Sequence, residues 1–326
     1  MQHLEQFATK TGSNTPAHDI QADQFARFLR SSKVTPNGHP HTKRRALRDK
    51  GVRFILETCR SLYGYAAKKR HLPPYGENPF AGLGGKRFHI EDAKPIFVFD
   101  ADTEIAFLNA ADDWAFQIHF TLAKTGLRPG ELIHLLIEDL DLESGWMQVR
   151  EKPELSWRIK SRRERAVPLI DELVAVLRRV VGQRTSGVVF QRDLFESGRG
   201  SLATSNRAGL ARAVTQRIEK AERETEQTLS REARAKIAGT VWRDAGAVKA
   251  DQIRLSFIRT ARAAGLLEAT CPKSWRHSFA TLLQDANVDP LIRQITLGHT
   301  PVGSIEGALG MTTLYTHTRP ETQRRE

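Results

Sequence analysis

The chain has 326 residues, 40% of them apolar, enough for two domains with cores of their own and too many for a disordered polymer. Fifty lysines and arginines against 38 carboxylates leave a net charge of +12 and a pI near 9.9, which favours a polyanionic partner, DNA or RNA. An aromatic content of 7% excludes a module built on base-stacking platforms, the two cysteines Cys59 and Cys271 exclude a disulfide-stapled secreted scaffold, and no apolar run reaches the roughly 20 residues of a membrane helix. The start MQHLEQFATK carries no apolar signal region, so a cytoplasmic protein without membrane contact is expected.

The charge is uneven. Residues 1–92 hold 16 basic and 8 acidic side chains, hence +8; the other 234 hold 34 and 30, hence +4. The Pro/Gly-rich stretch LPPYGENPFAGLGGKR (72–87) reads as a linker between a small basic domain, 1–85, and a larger one, 86–326. Before it only helices are expected. Asp19 is placed to cap one carrying Ile20, Phe25, Phe28 and Leu29. Thr42 is placed to cap a second, starting TKRRALRDK and continuing with Val52, Ile55, Leu56, Cys59 and Tyr63, its basic start facing phosphates or simply solvent.

Beyond the linker, residues 111–127 have helical period and Gly130 to Ile137 forms a second helix. The stretch from Gly145 to Leu169 predicts a three-strand meander, WMQVR, LSWRIK and RAVPL. DELVAVLRRVV (171–181) is an amphipathic helix, and the charge-alternating tract 216–236 a solvated one. Helices continue to the end. The fold class is therefore mainly α with a small antiparallel β-sheet.

Five segments carry candidate chemistry. TGLRPGEL (125–132) sets Arg128, a rigid fork of donors suited to phosphate oxygens, between two helices, with Glu131 placed to orient it. IKSRRERAVPL (159–169) puts Lys160 at a strand end, before a turn. PKSWRHSFATLL (272–283) places Lys273 and Arg276 three apart on one helical face. LGHT (297–300) offers His299, and TTLYTHT (312–318) offers Tyr315. Each alone also fits a surface or core residue; their order is what is specific.

In that order they resemble the tyrosine recombinase, or phage integrase, family, whose pattern is an Arg in T-G-L-R-x-x-E, a Lys before R-x-V-P-L, a His-x-x-Arg box, an L-G-H box and a Tyr in T-x-x-Y-T-H. The resemblance covers about residues 93–326, and the ENPF at 77–80 is similar to the end of the family's helical core-binding domain. It implies a catalytic domain of tyrosine-recombinase type over 86–326 and site-specific DNA recombination through a 3′-phosphotyrosyl intermediate. It implies roles for Tyr315 as nucleophile, Arg128 and Arg276 as phosphate clamps, His299 as a further donor and Lys160 as general acid, with Lys273 at the phosphate and Glu131 in support. No metal and no cofactor are expected, and the implied partners are double-stranded DNA with specific sites and three further copies of the chain, in the cytoplasm at the nucleoid. Two positions depart from the pattern: Lys273 stands where the box usually begins with His, and His299 and Tyr315 are 16 positions apart, more than is usual. A type IB topoisomerase-like relaxing enzyme and a DNA-binding protein with a retired site remain open beside the recombinase.

Overall fold

The computed structural model describes residues 2–11, 16–35, 43–73, 76–82, 95–195 and 201–298. They are mostly helical, with two small antiparallel sheets, and they fall into two compact units, Met1–Pro95 and Ile96–Glu326. Among the described residues no helix is long and apolar enough to cross a membrane.

The first unit packs α1 (Gln2–Thr11), α2 (Ala22–Ser31) and α3 (Asp49–Lys68). Val52, Leu56, Cys59 and Tyr63 recur every third or fourth residue of α3 and bury against Phe7, Phe25 and Leu29. Part of the predicted linker belongs to this core. Phe80 is fully buried between Tyr63 and Phe25, and Asn78 donates to the Arg60 carbonyl at 2.9 Å. Three other expectations fail here. α1 was not foreseen. Asp19 ends a 3-10 turn, and α2 begins only at Ala22 because Ile20 is held extended against the core. Lys33–Val34 (β1) and Arg45–Ala46 (β2) pair, so the helix predicted from residue 42 starts at Asp49. A basic run disfavours the positive end of a helix dipole, whereas Asp49 suits it.

The second unit is organised around α5 (Asp113–Thr125). Asp112 caps it, its carboxylate accepting from the Ala115 amide at 2.7 Å, and Gly126 ends it in the left-handed region, φ 60°. α4 (Ala101–Asn109), α10 (Ala250–Ala263) and α11 (Lys273–Asp285) pack on α5 through Phe107, Ile118, Leu122, Phe257 and Trp275. Phe99 stacks on Trp275 with centroids 3.9 Å apart. Burying each such side chain stabilises the unit by about 1.5–3 kcal/mol.

The sheet runs in chain order: β3 (Leu140–Asp141), β4 (Trp146–Val149) and β5 (Arg165–Pro168), with Met147 opposite Val167. α7 (Asp171–Val181) is as predicted. The middle strand of the predicted meander, LSWRIK, is not a strand. Pro153–Leu155 coil into a 3-10 turn and Ser156 takes φ 54°, because Lys152 turns inward to a sealed ion pair with Asp139, Nζ to Oδ2 2.8 Å. The helix predicted from Gly130 stops after α6 (Pro129–Leu132), since Leu136 bridges to Val188 as extended chain. The tract 216–236 is broken in two: α8 (Arg207–Thr225) ends at Glu226 with positive φ, and Ser230 caps α9 (Arg231–Asp244). The pair shares a small core of Leu210, Val214, Val241 and Trp242. α12 (Pro290–Leu297) follows α11.

Candidate active site

Pro129 opens α6, which leaves Arg128 as an extended residue just ahead of the helix, φ −74° and ψ 145°. Glu131, three residues on, reaches back. One carboxylate oxygen accepts from the Arg128 amide at 2.9 Å, the other from its guanidinium at 2.8 Å. The same carboxylate receives two bonds from Arg165 on β5, at 2.7 and 3.3 Å. Glu131 is only 3% exposed. Burial alone would push its carboxyl up, but the hydrogen bond and charge of Arg165, together with Arg128, hold it below the usual carboxylate range.

Arg165 also donates through Nε to the Thr296 carbonyl at 2.8 Å. Gly298, ending α12 with φ 64°, lies so close that an added Cβ would stand 2.9 Å from the Arg165 guanidinium. This accounts for the glycine of the L-G-H box. Gly126 is similarly determined, since a Cβ there would meet the Phe279 ring at 2.4 Å.

Arg276, on α11, is buried at 8% exposure and donates to the Gly126 carbonyl at 2.8 Å and to that of Leu297. Burial, then the nearby Arg128, lowers its pKa to about 10, so it stays cationic at neutral pH. A guanidinium has five N–H donors, so others remain free for an anion. Lys273, Arg276, His277 and Ala280 follow helical spacing along one stripe of α11, while Ser274, Trp275 and Ser278 on the other side enter the core.

Arg128, Lys160, Lys273 and Arg276 all line one open cavity of about 700 Å³, with Ser161, His277 and Gly298. Lys160 is exposed and sits in the turn after the coiled segment rather than at a strand end, beside the buried Ile159. Glu131 lies behind the wall as the clamp of Arg128 and Arg165. His299, Tyr315 and the segment 301–310 lie outside the described residues. Among the described residues no three His, Cys, Asp or Glu side chains gather as a metal-ligand set. A cavity walled by four cations is suited to hold a phosphate group and to stabilise charge that develops on its oxygens.

The sequence reading missed Arg165, Ser161 and His277. For Arg165 a signal was present: two positions from Val167, it shares that residue's inward face of β5, where an arginine needs a partner. His277 stood one residue past Arg276 on the helical stripe already recognised.

The fold has solved counterparts. It is similar to Tn1549 transposon integrase in complex with transposon right end DNA, at 19% identity and TM-score 0.56, over 95% of this chain and 85% of that one. It is similar to the XerH site-specific recombinase bound to palindromic difH substrate, at 16% identity and TM-score 0.56, over 91% and 70%. A lambda integrase dimer bound to a core site matches at 16% identity and TM-score 0.52, over 92% and 86%. No curated protein matches the sequence. The model of the phage integrase family matches residues 103–321, two-thirds of the chain and all of the segments that form or flank the cavity, and the chain belongs to that family.

Proposed function

We propose that the chain recombines double-stranded DNA at specific sites, breaking and rejoining strands through Tyr315. The observation that carries this reading is the convergence of Arg128, Lys160, Lys273 and Arg276 on one cavity. A phosphodiester seated there has its non-bridging oxygens facing Arg128 and Arg276, and His299 adds a donor. The Tyr315 oxygen attacks phosphorus, forming the O–P bond of a 3′-phosphotyrosyl link as the bond to the 5′-oxygen breaks. Lys160 gives that oxygen its proton, leaving a free 5′-hydroxyl. Attack by the 5′-hydroxyl of a partner strand reverses each step and releases the tyrosine. The positive charge comes from side chains, so the reaction proceeds without a metal or cofactor. The solved structures named above with DNA support this substrate, and exchange between two duplexes calls for a tetramer, acting in the cytoplasm. The N-terminal region, 1–85, serves as the core-binding domain and 86–326 as the catalytic domain.

The test is covalent trapping. A pool of nicked random-sequence duplexes is incubated with the full chain in excess EDTA, and adducts are isolated on denaturing gels. Wild type yields an adduct on the peptide containing Tyr315, and Tyr315→Phe yields none. An adduct formed by Tyr315→Phe, or one that requires magnesium, overturns the reading.

A further inference from the structure

Breaking DNA through a phenol requires a group that takes the phenol's proton, because a protonated phenol is a poor nucleophile. The box on α11 begins with Lys273, and an ammonium has three donors and no lone pair with which to accept. Arg128, Arg276 and Lys160 are donors for the same reason. Both oxygens of Glu131 are held by Arg128 and Arg165. Ser161 has a hydroxyl, which can relay a proton but is too weak a base to keep one.

In the proposed reaction His299 is a donor to the phosphate, and among the described residues of the wall His277 is different. It is part of the cavity wall, one helical turn from Lys273 and adjacent to Arg276. It is half-buried, and neither ring nitrogen bonds another described residue. We propose that His277 accepts the proton of the attacking hydroxyl, while Lys273 acts only through its charge; this rests on the reading of Tyr315 as nucleophile. As the phenol oxygen bonds to phosphorus, its O–H bond breaks and the proton passes to a ring nitrogen of His277. The 5′-oxygen leaves with a proton from Lys160. Rejoining returns both protons, so the cycle consumes no other reactant.

The surroundings keep the imidazole available. Partial burial, then the charges of Lys273 and Arg276, lowers its pKa below the ordinary histidine value, which favours the neutral imidazole. Among the described residues the charged groups around it are Lys273 and Arg276 on its own helix and Arg128 and Lys160 on the other walls, with Glu131 already committed to Arg128 and Arg165. The imidazolium formed in the step faces the negative charge gathering on the phosphate.

The experiment follows single-turnover cleavage against pH, on nicked duplexes that wild type has selected from the random pool. Wild-type cleavage rises through an acid limb centred below the ordinary histidine range. His277→Gln keeps DNA binding, loses about 10²-fold or more in cleavage and loses the acid limb. His277→Ala regains cleavage in proportion to added free imidazole. Lys273→Ala is slower but keeps the acid limb. The proposal is overturned if His277→Gln cleaves at close to the wild-type rate, if it keeps the acid limb, if imidazole restores nothing, or if Lys273→Ala is the variant that loses the limb. Tyr315→Phe separates the two levels. If it still forms the adduct, the nucleophile reading fails; if it is inactive while His277→Gln behaves as wild type, only the proton acceptor is wrong.

Discussion

Glu131 and Arg165 are joined by two hydrogen bonds, 2.7 and 3.3 Å, though 34 positions separate them in the chain. Both are almost fully buried, so neither charge has water to fall back on. Glu131→Gln therefore leaves Arg165 short of its counter-charge, and unfolding by urea at pH 7 should show a loss of about 3–5 kcal/mol. The Glu131 carboxyl is depressed in the folded state, so its contribution is complete at neutral pH and is lost as pH falls from the ordinary carboxylate range through the lowered value. Wild type and Glu131→Gln should accordingly converge in acid. A gap that persists or widens on acidification would contradict this role.

Gly126 ends α5 and its carbonyl holds Arg276, so its geometry is tied to the site. Gly126→Ala must accept a positive φ and a Cβ 2.4 Å from the Phe279 ring. A melting experiment should show destabilisation of about 1–3 kcal/mol. Pairing it with Phe279→Leu should recover part of the loss, since the clash is with the ring while the φ strain remains. Additive losses in the double variant would show that the ring is not the obstacle.

Lys273 begins α11, exposed at the cavity mouth. Lys273→Ala should reduce cleavage by about tenfold or more, the scale of one charge-stabilising group. Lys273→His should retain more activity than alanine, because an imidazole can still donate to the phosphate. Equal rates for wild type and Lys273→Ala would return the residue to an ordinary surface lysine.

The first unit's basic run predicts a salt effect. Lys43, Arg45 and Lys50 are exposed around β2 and the start of α3, in the part of the chain that carries +8 of the +12. Replacing all three by glutamine should weaken DNA binding and reduce the slope of log affinity against log salt by about 0.9 for each side chain that meets a phosphate. An unchanged slope would assign these residues to solvent.

What could be read from the chain was what is local. α7 emerged intact because its apolar period and polar flanks lie within eleven consecutive residues. Arg128 and Glu131 could be linked because three positions in a helical start bring them together. The failures share a different cause. Lys152 falls between the first two strands of the predicted meander, but its partner Asp139 lies 13 positions away, and that ion pair replaces the expected strand with a coil. Arg165 lies in the RAVPL segment with nothing local to mark its role, because its partners, Glu131 and the Thr296 carbonyl, are 34 and 131 positions distant. α1 was missed because a short amphipathic helix has no clear pattern until α2 supplies the surface it packs on.

Arg276 ties together parts of the second unit that lie far apart in sequence. Its guanidinium bonds the end of α5, 150 positions earlier, and the end of α12, 21 positions later. Until synthesis has passed Leu297 and all three helices have met, this cation has no fixed direction and the cavity lacks one of its four cations. A truncated or partly unfolded copy keeps its basic surface but lacks the fixed cation on which the proposed cleavage depends. If the proposed function holds, the fold acts as a safeguard: strand breakage waits for a molecule folded far enough to fix this cation.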